Sequence, residues 1–162
     1  MMFRVISGGQ TGVDQAALDA AIACRKRYGG WLPAGRKTES GPLSEKYIMD
    51  EMMTDSYPAR TRKNVITADA TLIISRGRLS GGSALTSRIA VEEGRPCLHV
   101  DLKKLDHTEA LLSIKRWLRE CAPHVLNIAG PRASSDEGIY DEAYALVYAF
   151  LNELDDGART PL

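Results

Sequence analysis

The chain has 162 residues, with 21 Lys and Arg against 21 Asp and Glu, a formal net charge of zero. That length suits one domain with its own core, and the even charge balance argues against a general nucleic-acid or anionic-membrane surface. No apolar run approaches the roughly 20 residues of a membrane span and no basic-then-apolar leader opens the chain, so a cytoplasmic setting is the expectation.

Residues 3–6 are a short apolar run that predicts a strand. Ser7-Gly8-Gly9-Gln10-Thr11-Gly12-Val13-Asp14 follows and leads into 14–25, where Ala17, Leu18, Ala21 and Ile22 fall on one helical face. Strand, glycine loop and helix start together suit an anion, because the turn lets a ligand approach the main chain and the helix start offers unpaired N–H groups. Neither the dinucleotide pattern nor a Walker loop is present. A structural turn with Asp14 as helix cap is the alternative.

Gly29-Gly30 is a natural helix stop, and Trp31-Leu32-Pro33 reads as a second strand. The stretch 36–58 is irregular, with a short helix over 44–53 and a break at Ser56-Tyr57-Pro58; a connection this long is often a functional lid. A helix over 61–67 leads to a third strand, 70–75, apolar enough to be buried on both faces. That strand ends in a second glycine loop, Arg76-Gly77-Arg78-Leu79-Ser80-Gly81-Gly82-Ser83, followed by a helix over 84–93 and a fourth strand over 97–102. Asp106 with Glu109 predicts a capped helix, 125–129 a fifth strand, and Ser134 with Glu137 the start of a long amphipathic helix reaching Leu154.

Strands alternating with helices predict an α/β fold: a Rossmann-like three-layer sandwich with a mostly parallel sheet of about five strands. The domain is expected to span 1–155, with a frayed tail over 156–162. Since the first and third strands both carry Gly-Gly loops, they are expected side by side at the switch point, in the order 2-1-3-4-5.

A parallel sheet gathers its strand-to-helix loops at one edge. Arg36 and Lys37 would meet Arg76, Arg78 and Arg132 there, against Asp14 and Glu39, a surplus of cation that favours a phosphate-bearing ligand. The candidate binding residues of the first loop are Gly8, Gly9, Gln10, Thr11, Gly12 and Asp14, joined by Arg36. Those of the second are Arg76, Gly77, Ser80, Gly81, Gly82, Ser83 and Thr86; Gly130, Arg132 and Ser134 complete the set. No catalytic residue is assigned, because Ser80, Ser83 and Thr86 have no histidine placed near them and Asp14, Glu39 and Asp101 show no acid–base spacing. His99, His107 and His124 lack metal-ligand spacing, and Cys24, Cys97 and Cys121 form no C-x-x-C pair, so no metal site is expected.

Four motifs, taken in order, carry a resemblance. They are the first loop continued through Gln15-Ala16-Ala17-Leu18-Asp19-Ala20-Ala21; Asn64-Val65 with Asp69-Ala70-Thr71-Leu72-Ile73; Gly81-Gly82-Ser83-Ala84-Leu85-Thr86; and Asn127-Ile128-Ala129-Gly130-Pro131-Arg132. Over nearly the whole chain they resemble the bacterial putative molybdenum carrier family, also described as circularly permuted YpsA-like within the SLOG superfamily. The resemblance implies a Rossmann-like fold binding either molybdenum cofactor (molybdopterin) or another nucleotide-like ligand, and by analogy a dimer or tetramer. It leaves open a nucleotide-derivative hydrolase, a transferase or a nucleotide-sensing module. Related phosphoribohydrolases carry a P-G-G-x-G-T-x-x-E loop; counting from Gly8, the glutamate position here is Gln15, which weighs against that activity.

Overall fold

The computed structural model describes residues 3–154; the expected tail over 156–162 lies outside them. Its centre is a five-stranded parallel sheet. In chain order the sheet contains β1 (Arg4–Ile6), β2 (Arg27–Gly29), β7 (Ala70–Ser75), β8 (Cys97–Asp101) and β9 (Val125–Ala129). The helices are α1 (Val13–Ala23), α2 (Tyr57–Thr67), α3 (Gly81–Glu92), α4 (His107–Cys121) and α5 (Ile139–Glu153). The chain between β2 and α2 holds four two-residue strands: β3 (Trp31–Leu32), β4 (Lys37–Thr38), β5 (Gly41–Pro42) and β6 (Asp50–Glu51). Beside the sheet, β3 pairs with β6 in parallel and β4 with β5 antiparallel.

One face of the sheet carries α1, α4 and α5. Their apolar sides pack on Val5, Leu72, Ile74, Val100, Leu126 and Ile128 in a single core. Ala16, Ala17, Ala20 and Ala21 keep the buried side of α1 shallow, so Ala143, Val147 and Phe150 of α5 can approach it. The other face carries α2 and α3, joined through Val65, Ile89 and Ala90. Every residue of β7 is buried, as its unbroken apolar run predicts.

The fold class is the expected one, but the strand order is not. Spatially the sheet runs β2-β1-β9-β7-β8, so the last strand is inserted between the first and the third of the five. Burial explains the placement. β9 buries Leu126, Asn127 and Ile128, whereas β8 buries only Val100 and leaves His99 exposed. Each large apolar side chain taken fully from water contributes about 1.5–3 kcal/mol, which favours β9 inside the sheet and β8 at its edge.

The second strand is also displaced. Arg27–Gly29, not Trp31-Leu32-Pro33, pairs with β1, because α1 ends at Ala23 and Arg25 turns the chain back with φ 54°. Residues 44–53 form no helix; the segment is held by backbone pairing and by the small apolar cluster of Leu18, Leu32, Leu43 and Tyr47. Ser56 and Pro58 start α2 instead of breaking the chain. The Ser56 hydroxyl accepts from Ala59 N at 3.2 Å and Pro58 occupies the first turn, where no donor is required.

Candidate functional site

A cavity of about 360 Å³ opens at the carboxyl ends of β7 and β9, between the starting turns of α2 and α3. Those two strands flank the point where strand order reverses, the place at which open α/β sheets bind ligands. The cavity is lined by Gly8, Gln10 and Asp14 of the first glycine loop; by Arg76, Ser80, Gly81, Gly82, Ser83 and Thr86 of the second; and by Gly130 and Arg132 after β9. The predicted residues Gly9, Thr11, Gly12, Arg36, Gly77 and Ser134 are not in its wall.

The two glycine loops differ in what their amides do. In the first, Gly9 N donates to Ser7 Oγ, Gln10 N to Asp14 Oδ2 at 3.1 Å, Thr11 N to Gln10 Oε1 at 3.0 Å and Val13 N to the Pro131 carbonyl at 3.2 Å. Its glycines admit protein rather than ligand: a Cβ on Gly8 would lie 1.5 Å from Arg60 Nη1, and one on Gly12 2.4 Å from the Pro131 carbonyl. In the second loop, the Ser80 side chain makes no capping bond and the amides of Gly81, Gly82 and Ser83 have no acceptor among the described residues. A Cβ on Gly81 or Gly82 would meet nothing within 4 Å. Free amides, open space and the positive end of the α3 dipole therefore coincide in the cavity wall.

The turn into α3 is shaped from below. The Ser75 hydroxyl donates to the Gly77 carbonyl at 2.9 Å and lies 2.7 Å from His99 Nε2. Asp101 accepts from Gly77 N at 2.6 Å and Lys103 N at 2.9 Å, and these bonds hold its carboxyl below the usual range. Partial desolvation of its otherwise exposed ring pushes His99 down, toward the neutral form.

At the cavity floor Arg60 and Asp14 form a buried ion pair, Nη1 to Oδ2 at 3.2 Å, with side chains 9% and 8% exposed. Burial pushes the Asp14 carboxyl up, against the pull of Arg60 and the Gln10 amide. Asp14 is thus not the cap of α1, a position held by Gly12. The Arg60 Nε is buried with no acceptor, and the Tyr57 ring lies 5.5 Å from its guanidinium carbon. Sequence reasoning missed Tyr57 and Arg60. The Ser56…Pro58 start signal would have found them, since it places the first turns of α2 at the mouth.

The arginines expected there are unequal. Arg76 is in the wall, but its guanidinium is matched by Asp136 and by Glu142 at 3.2 Å. Arg78 makes no hydrogen bond or ion pair among the described residues, and Arg132 stands 3.9 Å from Glu39. Arg36 lies elsewhere, donating to the carbonyls of Leu43 at 3.0 Å and of Ser44 and Tyr47 at 2.8 Å each. Glu39 is a staple beside the cavity. It accepts from the Thr11 hydroxyl and from the Ser134 amide and hydroxyl, bonds that draw its carboxyl down, the Ser134 hydroxyl most. Ser134 is therefore a structural partner of Glu39 and not the cap of α5, which Gly138 provides.

Among the described residues no group of three or more His, Cys, Asp or Glu side chains is placed to hold a metal ion, and no helix is long and apolar enough to cross a membrane. The model of the circularly permutated YpsA SLOG family matches residues 5–151. A crystal structure of a protein from Syntrophus aciditrophicus SB, named "putative molybdenum carrier protein", is similar at 49% identity and TM-score 0.91. The similarity covers 93% of this chain and 95% of that one. No curated protein matches the sequence.

Proposed function

Because the chain belongs to the circularly permutated YpsA SLOG family, we propose that it is a binding protein for a phosphate-bearing heterocycle, of the kind the name of the Syntrophus relative suggests. The observation that carries this reading is the uncapped start of α3, whose amides at Gly81, Gly82 and Ser83 have no acceptor among the described residues and whose glycines leave open space at the cavity wall. A phosphate there accepts those amides and is neutralised by Arg78 and Arg132, while the heterocycle lies toward Arg60, Asn127 and Tyr57. A molybdenum-bearing cargo fits on these terms through its organic part, its phosphate and ring being what these side chains hold. A cytoplasmic setting belongs to the same proposal.

Titration calorimetry with nucleoside 5′-monophosphates and a pterin phosphate tests the reading on the wild-type chain and on Gly82→Asp. The new side chain has room and suits a first helical turn, so the fold is expected to stand. Its carboxylate occupies the anion position, and affinity should drop about a hundredfold or more. Unchanged affinity would remove α3 from the site.

A hydrolase or transferase acting on nucleotide derivatives is the second reading, supported by the Asp14 carboxyl, buried and raised at the cavity floor. Release of free base or sugar from nucleoside monophosphates separates the two. A binding protein gives none, even at high protein concentration.

A further inference from the structure

The Arg60 guanidinium carries five N–H donors, yet among the described residues it makes one hydrogen bond, Nη1 to Asp14 Oδ2. Nε is buried without an acceptor, and Nη2, on the same edge of the planar guanidinium, is bonded to nothing. Nε and Nη2 thus form a two-donor fork on a side chain only 9% exposed, and the residue that carries it lines the cavity. A buried donor left unpaired is costly, so the fork calls for a bidentate acceptor. The guanidinium is fixed for the purpose: Gly8 leaves it room, Tyr57 lies over it and Asp14 holds its far side.

Asp14 also decides the charge of that acceptor. It already neutralises Arg60, and a second anion on the fork would sit in the same buried volume as the Asp14 carboxylate. A neutral pair of acceptors meets no such repulsion. Among flat heterocycles the pair is a carbonyl oxygen beside an accepting ring nitrogen, the edge that arginine takes on guanine. An amino group in place of the carbonyl would set N–H against N–H.

We propose that Arg60 makes this cavity selective for an oxo-heterocycle, a 6-oxopurine or an oxidised 4-oxopterin, over its amino counterpart, with the phosphate of the same molecule on α3. The proposal rests on the phosphate-heterocycle reading above.

The test compares GMP, IMP and AMP by calorimetry on the wild-type chain. GMP and IMP should bind at least about tenfold more tightly than AMP. On the same unmodified chain, 7-deaza-GMP, which lacks the ring nitrogen, should bind about tenfold more weakly than GMP. Arg60→Lys retains a cation beside Asp14 but has no fork, and should bring GMP and AMP within about twofold of each other. A 4-oxopterin phosphate binding more tightly than GMP assigns the pterin as the source of the edge, and the reverse assigns the purine.

Equal binding of GMP and AMP by the wild-type chain, or a preference that survives in Arg60→Lys, overturns the proposal. If both nucleotides bind equally and both are lost in Gly82→Asp, the phosphate site stands and the role of Arg60 falls. If no nucleotide or pterin phosphate binds, the reading of the cavity fails and this proposal with it.

Discussion

Arg60 and Asp14 are each admissible at the cavity floor because the other is 3.2 Å away. Removing one partner leaves a buried charge without compensation, so Arg60→Met should destabilise the chain by about 3–5 kcal/mol in urea unfolding. Combining it with Asp14→Asn should recover most of that loss, since the stranded charge is gone; a double variant no more stable than the single one would contradict the pairing account. Glu39 works at the same scale. Its hydrogen bonds from Ser134 and Thr11 favour the ionised form and lower its pKa. The stability it contributes is therefore fully present above the ordinary glutamate value of about 4.3 and is lost as pH falls through the lowered one. The difference in Tm between wild type and Glu39→Gln should accordingly be largest near neutral pH and close on acidification; a constant difference would mean the carboxylate charge is not what holds the staple. Glu39 and Arg60 show where sequence reasoning stops. Both are ordinary charged residues in sequence, and only the fold brings partners from 95 and 46 positions away.

Element starts were legible where the signal is local. The capping box of α4 follows from Asp106 and Glu109, and the structure forms both bonds: Asp106 accepts from Glu109 N at 2.8 Å and Glu109 from Asp106 N at 3.0 Å. Asp106→Ala should lower stability by about 1 kcal/mol and Tm by about 2–4 °C. Because α4 contributes nothing to the cavity wall, GMP binding by that variant should be unchanged. The same spacing at Ser134 and Glu137 misled, since the Ser134 hydroxyl is taken by Glu39 and α5 starts later, after Gly138 in the left-handed conformation. A cap residue is a local offer that a distant partner can outbid. The glycine loops make the same point: both read as anion loops, but the first turns its amides inward onto Ser7, Asp14 and Pro131.

Read cyclically from β7, the strands run β7, β8, β9, β1, β2, and their places in the sheet become 2-1-3-4-5, the expected order with the chain cut at another point. In that reading α5 is the crossover helix between the adjacent parallel strands β9 and β1, and it packs on the same face as α1. A rearranged chain beginning at Asp69, with residues 154 and 3 joined through a glycine–serine linker, should therefore unfold cooperatively and bind GMP as the parent chain does. Loss of cooperative unfolding would show that the order of the strands along the chain is required by the fold. The switch point between β7 and β9, and with it the cavity, is independent of where the chain is opened.

By itself the sequence determined the alternation of strands and helices, the buried strand over 70–75, the glycine loop after it and the parallel sheet, because hydrophobic period, glycine and caps act over a few residues. Tertiary structure alone decided that 125–129 enters the sheet between the first and third strands, that Arg36 and Arg76 are occupied by protein acceptors, and that Arg60 reaches the floor beside Asp14. Those outcomes depend on which strand buries more surface and on which charges meet across the sheet edge. Both are sums over contacts distant in the chain, which no local pattern records.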